Sequence, residues 1–391
     1  MTLHALRNPV KHYAWGSRTS IPALLGHPAP ADEPWAELWI GAHSRGSSEI
    51  YDGDSWRSLR EWIAEDPARA LGHTPGGAPR ELPFLLKILA SEQPLSLQAH
   101  PDPAEARAGF EREESQGIAL TAPNRSFPDP NPKPELVVAL DRFEVLCGVR
   151  PLDEVTRALE GLDARTVHDH FRDVLTAGDT LEVLRRWLAT PTELARALTD
   201  EASAAAERGE LEDPGIAWIP RLATARPQDI GILAPLFLTY RSLAPGEALF
   251  VGAGVLHGYL RGTALELQAS SDNVLRGGLT GKHIDLPLLL DTLRPDRQPE
   301  PSIPEPVSAA IREWPADTDR FSLRSVHLSG DTHPCTADRG AEILLCTEGH
   351  AEVGDAEGVL PLTPGTAVFV PGGGREFWIR GDGTVYRASA A

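Results

Sequence analysis

Pro245-Gly-Glu-Ala-Leu-Phe-Val-Gly252 returns as Pro364-Gly-Thr-Ala-Val-Phe-Val-Pro371, at an offset of 119 residues. The same offset lays Tyr259 on Trp378, Arg261 on Arg380 and Gly262 on Gly381. A Pro-Gly turn opening a short apolar run, used twice, reads as two β-domains of one plan, and strand-rich repeats with such turns indicate jelly-roll barrels. Among the positions where the copies differ, His257 falls on Glu376. A histidine that only shaped its turn would be expected in both copies, so His257 is a candidate for chemistry.

Outward from the repeat, two strands are predicted between Pro83 and His100, joined by Ser91-Glu92-Gln93-Pro94. The two-residue period puts Leu95, Leu97 and Ala99 on one face of the second strand and Ser96, Gln98 and His100 on the other. Pro101-Asp102-Pro103 stops that strand; a helix is expected over 104–116 and further strands over 135–140 and 143–149. From 151 to 231 aromatic residues thin out and Ala, Leu, Arg and Glu recur at helical spacing. Three to five helices are expected there, one opened by a capping box at Thr190-Pro-Thr-Glu193. Strand character resumes over 233–240 and 249–267. A linker rich in proline (Pro295, Pro299, Pro301, Pro304, Pro306) precedes a β-like remainder. The chain reads as mainly β with a helical insertion. A discontinuous first barrel (1–150 and 232–293) carries the chemistry, 151–231 is α-helical, 294–306 is a linker, and 307–391 is a degenerate second barrel.

The 391 residues, 41% hydrophobic and 24% charged, are ordinary for a globular protein. A net charge of −19 argues against nucleic acid and anionic membranes, which select basic surfaces. No apolar run approaches the ~20 residues of a membrane span. The opening Met1-Thr-Leu-His-Ala-Leu-Arg7 lacks the basic-then-apolar order of an export signal. Cys147, Cys335 and Cys346 are odd in number and without zinc-knuckle spacing, which fits a reducing cytoplasm. Lysine is scarce, four residues against thirty-three arginines. A lysine kept in that background points to a need for an ammonium; the four are Lys11, Lys87, Lys133 and Lys282.

Four constellations carry candidate chemistry. Gln98-Ala-His100 puts two donors on one strand face, as a metal inside a barrel requires; a polar outer face has the same pattern. Lys133-Pro-Glu135 leads a carboxylate into a strand, or is a surface turn. His257-Gly-Tyr259 follows the Pro245-Gly246 turn, with a satisfied core histidine as the plainer alternative. Between Glu266 and Lys282 both charge signs mix with glycines. Arg276 and Lys282 in so acidic a protein suggest an anion pocket, with solvated loop charges as the alternative.

Together these segments resemble the type I mannose-6-phosphate isomerases, or phosphomannose isomerases. The resemblance is carried by Asn8-Pro-Val-Lys-His-Tyr-Ala-Trp-Gly16, Glu37-Leu-Trp-Ile-Gly-Ala-His43, Leu82-Pro-Phe-Leu-Leu-Lys87 and Gln93-Pro-Leu-Ser-Leu-Gln-Ala-His-Pro-Asp102. Asp129-Pro-Asn-Pro-Lys-Pro-Glu135 and Ala269-Ser-Ser-Asp-Asn-Val-Leu-Arg-Gly-Gly-Leu-Thr280 complete it. It is specific through residue 290, loose in the helical insertion and weak beyond the linker. It implies cupin-type barrels and one zinc per chain held by Gln98, His100, Glu135 and His257, a donor set suited to a catalytic site. The metal would act as a Lewis acid on the sugar while a proton moves between C1 and C2 through an enediolate. Arg276 would sit at the reacting end, and Ser96 and Lys282 at the 6-phosphate with Lys87 nearby. Glu266, Lys133, Tyr259 and Asp272 would line the pocket. The chain departs from the family at Pro132, where histidine is common. Proline moves no proton, so the base stays open among Glu266, Lys133 and a metal-bound water.

The expected enzyme is therefore a zinc-dependent aldose–ketose isomerase acting on mannose 6-phosphate and fructose 6-phosphate, a cytoplasmic monomer without nucleic-acid or membrane partners. Alternatives are an isomerase of another phosphorylated sugar, a sugar-phosphate-binding cupin that has lost turnover, and an iron cupin oxygenase. The last would usually place more than two histidines at its metal.

Overall fold

The computed structural model describes residues 3–72, 80–209 and 213–391; residues 210–212 of the expected helical insertion lie outside these. Among the described residues there are two ten-stranded antiparallel sheets and a helical layer. The repeat is structural as well as sequential. Ala248–Val251 and Ala367–Val370 are the equivalent short strands, each after a Pro-Gly turn. His257–Ala269 and Arg375–Ser389 are the long strands that follow. Gly262 and Gly381 bend the two long strands at matched points, with φ of +119° and +151°. A Cβ at either would lie 2.5 or 2.2 Å from a carbonyl oxygen of the neighbouring segment, Arg142 or His350, which no side chain tolerates.

His257–Ala269 is the hub of the first barrel. Its first half pairs with Phe143–Val149, and its second half runs between Phe84–Ser91 and Glu135–Ala139. The register slips by a residue near Arg261, and such a bulge switches which face successive side chains take. Tyr259 and Ala264 thus share the barrel interior with Leu89, Val137 and Phe143. Leu265 and Leu267 turn outward to pack with Phe321, Ile343 and Phe369 of the second barrel. All eight residues of Phe84–Ser91 are buried because both faces are covered. Leu86 and Ile88 join the inter-barrel core, and Leu89 the interior one.

Helices follow the strand Phe143–Val149. Leu152–Gly161, Arg165–Ala177, Thr180–Leu188, Thr192–Arg208 and Ile219–Ala225 gather around Phe171, Trp187 and Phe237. That core also takes in Leu97, Ala99 and Leu275 of the first barrel.

Four expectations need correction. Thr190-Pro-Thr-Glu193 is not a capping box. The helix begins at Thr192 without a side-chain cap, and the Thr190 hydroxyl donates instead to the Arg186 carbonyl at the end of the preceding helix. The capping box stands at Asp102 and Glu105, opening Pro103–Ser115. The stretch 233–240 is a strand only from Leu238, because Ile230–Leu233 and Ala234–Phe237 are short helical turns in the insertion's core. Finally, the sheets cross the expected domain boundary. His4–Arg7 hydrogen-bonds to Ala367–Val370 of the second barrel and carries Glu49–Tyr51 and Trp56–Ser58 into that sheet. The linker is likewise anchored, with Ser302 bridging Ala248 and Glu305–Pro306 pairing with Ile311–Glu313.

Candidate active site

Leu97–Ala99 reaches the hub strand at its first residue, where Gln98 pairs with His257, and Arg276 pairs with Gln98 on the other side. Glu135 begins its strand opposite Gln268. Three chain-distant segments thereby converge on one interior point. His100, Glu135 and His257 are each at most 1% exposed, and one ligand atom from each lies within 4.8 Å of the others.

The backbone sets both imidazoles. His100 Nδ1 bonds the Asn273 carbonyl at 2.8 Å and His257 Nδ1 the Val255 carbonyl at 3.0 Å. A carbonyl only accepts, so each Nδ1 carries the proton and each Nε2 presents a lone pair to the interior. Both Nε2 atoms are buried without a hydrogen-bond partner, although Glu135 oxygens approach them at 3.3 and 3.5 Å. Two buried lone pairs facing a carboxylate are costly as they stand and suit a cation. Burial, helped by the Lys133 charge, pulls His100 down to about 4. Burial works to raise Glu135, but Lys133 and His100 outweigh it and hold its carboxyl well below the usual range. Neutral imidazoles and an ionised carboxylate are the forms a zinc ion binds. Lys133 Nζ is 2.8 Å from Glu135 Oε1. The Tyr259 hydroxyl donates to Oε2 at 3.1 Å, and burial together with Glu135 holds that phenol well above its ordinary value. The Gln98 side chain makes no hydrogen bond among the described residues and faces the same cavity.

That cavity, about 450 Å³, opens in front of Glu135. Ser96, Lys87, Lys133, Tyr259, Glu266, Asp272, Arg276 and Lys282 all line it. One wall is a buried polar network. Lys87 Nζ donates to Glu266 Oε2 at 2.8 Å and Gln268 Oε1 at 2.7 Å, with Glu37 at 3.8 Å. Burial works against the Lys87 ammonium, but the Glu266 and Glu37 charges hold it above its ordinary value. Burial raises Glu266, against the pull of Lys87. The cavity also carries a cationic cluster. Among the described residues no carboxylate lies within ion-pair distance of Arg276 or Lys282, while Arg45 pairs with Asp272. Burial and Arg45 lower Arg276; burial, Arg276 and Arg45 lower Lys282. Asp272 is held low by a hydrogen bond from His43 and by Arg45 despite its burial. Pro132 is buried and lies outside the cavity wall.

Every expected site residue is thus at this cavity or directly behind it. Several wall residues had no assigned role from sequence. Glu37, Trp39, His43 and Arg45 come from or adjoin a motif quoted above, and Gln268 follows Glu266 by two residues on the same strand. Lys11 supports the group from outside, donating to the Arg45 carbonyl at 2.8 Å and lying over the Trp39 ring. Arg226 reaches the cavity from the helical insertion, and no local signal marks it.

Residues 3–152 match the catalytic domain of type I phosphomannose isomerase, and residues 310–389 the cupin domain of mannose-6-phosphate isomerase. The mannose-6-phosphate isomerase of Escherichia coli is 36% identical over 394 aligned residues, covering 98% of this chain and 99% of that protein. The human protein of that name is 34% identical, covering 73% of this chain and 71% of its own length. A Salmonella typhimurium mannose 6-phosphate isomerase, solved with its substrate fructose 6-phosphate and zinc, superposes with a TM-score of 0.91 at 33% identity over the full length of both chains. A zinc-bound holo form of a mannose 6-phosphate isomerase also superposes at 0.91, with 34% identity and full coverage of both.

Proposed function

This chain belongs to the type I phosphomannose isomerases, zinc enzymes that interconvert mannose 6-phosphate and fructose 6-phosphate, and from that premise we propose how its pocket divides the work. His100, Glu135 and His257, with Gln98 beside them, hold the zinc. When bound, the metal supplies positive charge that polarises the sugar's carbonyl and hydroxyl oxygens. The observation that carries the rest is Arg276 and Lys282, without a carboxylate partner among the described residues and clustered with Arg45 in a protein of charge −19. Like charges packed together are unfavourable until an anion joins them, and a sugar phosphate is such an anion. Ser96 and Lys282 take the phosphate. Arg276, on the strand beside Gln98, stands at the reacting carbons.

Lys87 has another task than the one expected from the resemblance. Its ammonium is engaged by Glu266 and Gln268, so we assign it to hold Glu266 rather than to meet phosphate. Glu266, raised by burial and at the cavity wall, is the base that carries the proton between C1 and C2. Lys133 holds Glu135 in its ionised form. Because Pro132 lies outside the wall, this division of labour needs no histidine there. Asp272 and Tyr259 fix Arg45 and Glu135. Three free, buried cysteines fit a cytoplasmic setting, and the enzyme acts as a monomer, with every proposed group on one chain.

A coupled assay with mannose 6-phosphate, on protein of measured zinc content, tests this reading. Turnover should vanish on chelation and return with zinc; turnover unaffected by complete zinc removal would sink it. Lys282→Ala should raise KM with little change in kcat. Loss of a charge-assisted contact costs about 1.5–3 kcal/mol, roughly ten- to hundredfold. An unchanged KM would remove Lys282 from the phosphate end.

A further inference from the structure

Among the described residues only two other than glycine have a backbone φ in the left-handed region, Gln228 at +69° and Leu279 at +54°. They belong to two loops that touch, one from the helical insertion and one from the cavity wall. Asp229 joins the loops. Its Oδ1 accepts from Gly231 N at 2.8 Å within the insertion, and its Oδ2 accepts from Thr280 N at 3.1 Å across the gap. The approach is tight from both sides. A Cβ on Gly231 would lie 2.8–2.9 Å from Leu279, and one on Gly278 would lie 3.1 Å from Asp229 Oδ1. Thr280 in turn accepts from Lys282 N through its Oγ1 at 3.1 Å. Leu279 and Thr280 line the cavity, as do Ala225 and Arg226 just before the bend at Gln228.

Bulky residues adopt left-handed φ only where their surroundings over-determine it, and buried Leu279 is held so by packing and by Asp229. We propose that Asp229 is a positioning residue for the phosphate end of the pocket. It pins the Gly278-Leu279-Thr280 turn to the helical insertion and thereby fixes where Lys282 meets its anion. The inference rests on the assignment of Lys282 to phosphate. It gives the insertion a task in catalysis: one of its loops serves as the outer clamp of the substrate site.

The test compares Asp229→Ala, Asp229→Asn and Lys282→Ala in steady-state kinetics with mannose 6-phosphate and in inhibition by inorganic phosphate. Asp229→Ala should raise KM and the phosphate inhibition constant about tenfold together, with kcat within about twofold of the parent. Asp229→Asn, which keeps one acceptor oxygen, should fall between. Gly231→Ala, whose added Cβ would crowd both Leu279 and Asp229 Oδ1 at 2.8–2.9 Å without removing the Asp229 side chain, should raise both constants in the same way. On a Lys282→Ala background Asp229→Ala should add little, because the two act on one contact. An Asp229→Ala enzyme with normal KM and normal phosphate inhibition, beside a Lys282→Ala enzyme with raised ones, overturns the clamp and spares the pocket assignment. So does a fall in kcat at constant KM. Normal constants in Lys282→Ala overturn both.

Discussion

His100→Ala should lose its zinc and its turnover together. His100 supplies one of three buried donors, and its Nε2 has no hydrogen-bond partner among the described residues, so the variant is left with a weakened, partly open ligand set. Removal of a metal forfeits several kcal/mol of charge stabilisation in the reacting sugar, which is about a thousandfold or more in rate. Zinc measured on the purified variant should fall far below one per chain. A second readout needs no activity. Chelation should lower the melting temperature of the parent, because an ion that binds only the folded form stabilises it by mass action. The same chelator should leave His100→Ala almost unmoved. Stoichiometric zinc retained by the variant would refute the assignment of this ligand.

Arg276→Ala should lower kcat by about a hundred- to a thousandfold, the range seen when one preorganised donor to a developing oxyanion is removed. KM should change far less. Arg276 sits beside Gln98 in the sheet, so its guanidinium is carried by the same strand pairing that carries the metal site. It is partly buried, and its like-charged neighbour Arg45 is already paired with Asp272. Its charge is therefore available to one that appears only as the reaction proceeds. Parallel assays of Arg276→Ala and Lys282→Ala decide the orientation of the substrate. If Arg276→Ala raised KM and spared kcat while Lys282→Ala did the reverse, the sugar would lie the other way round.

The parts of this site that the sequence announces are those written in local patterns. Gln98 and His100 alternate with Leu97 and Ala99, and the structure gives the two sets opposite faces, cavity or metal cluster against helical core. The comparison of His257 with Glu376 singles out a histidine that does join the buried cluster. Scarcity marks the lysines: three line the cavity and Lys11 supports its rim. What stays hidden is what depends on long-range geometry. A strict two-residue count from His257 puts Glu266 and Gln268 on the wrong face, because the bulge near Arg261 shifts the parity between them. Arg45 and Arg226 look like any surface arginine until distant segments bring them to the wall. Asp229 is a charge in a loop until the turn it holds is seen. At Thr190 the local capping signal was overruled by the nearer carbonyl of the preceding helix. Strand pairing between the two ends of the chain has no local signature at all.

That pairing bears on how the molecule is made. His4 stands in register with Phe369, so a strand made early waits until synthesis has passed Phe369 before this partner exists. At about 5–20 residues per second the wait is tens of seconds. During it Leu6 and Ile50, which pair with each other and are buried in the finished protein, belong to a small sheet with one edge unpaired, the kind of edge that draws neighbouring chains into aggregation. Contacts between residues so far apart in sequence also slow the final closure. The Pro-Gly strand of the second barrel, Ala367–Val370, is the piece that closes that edge.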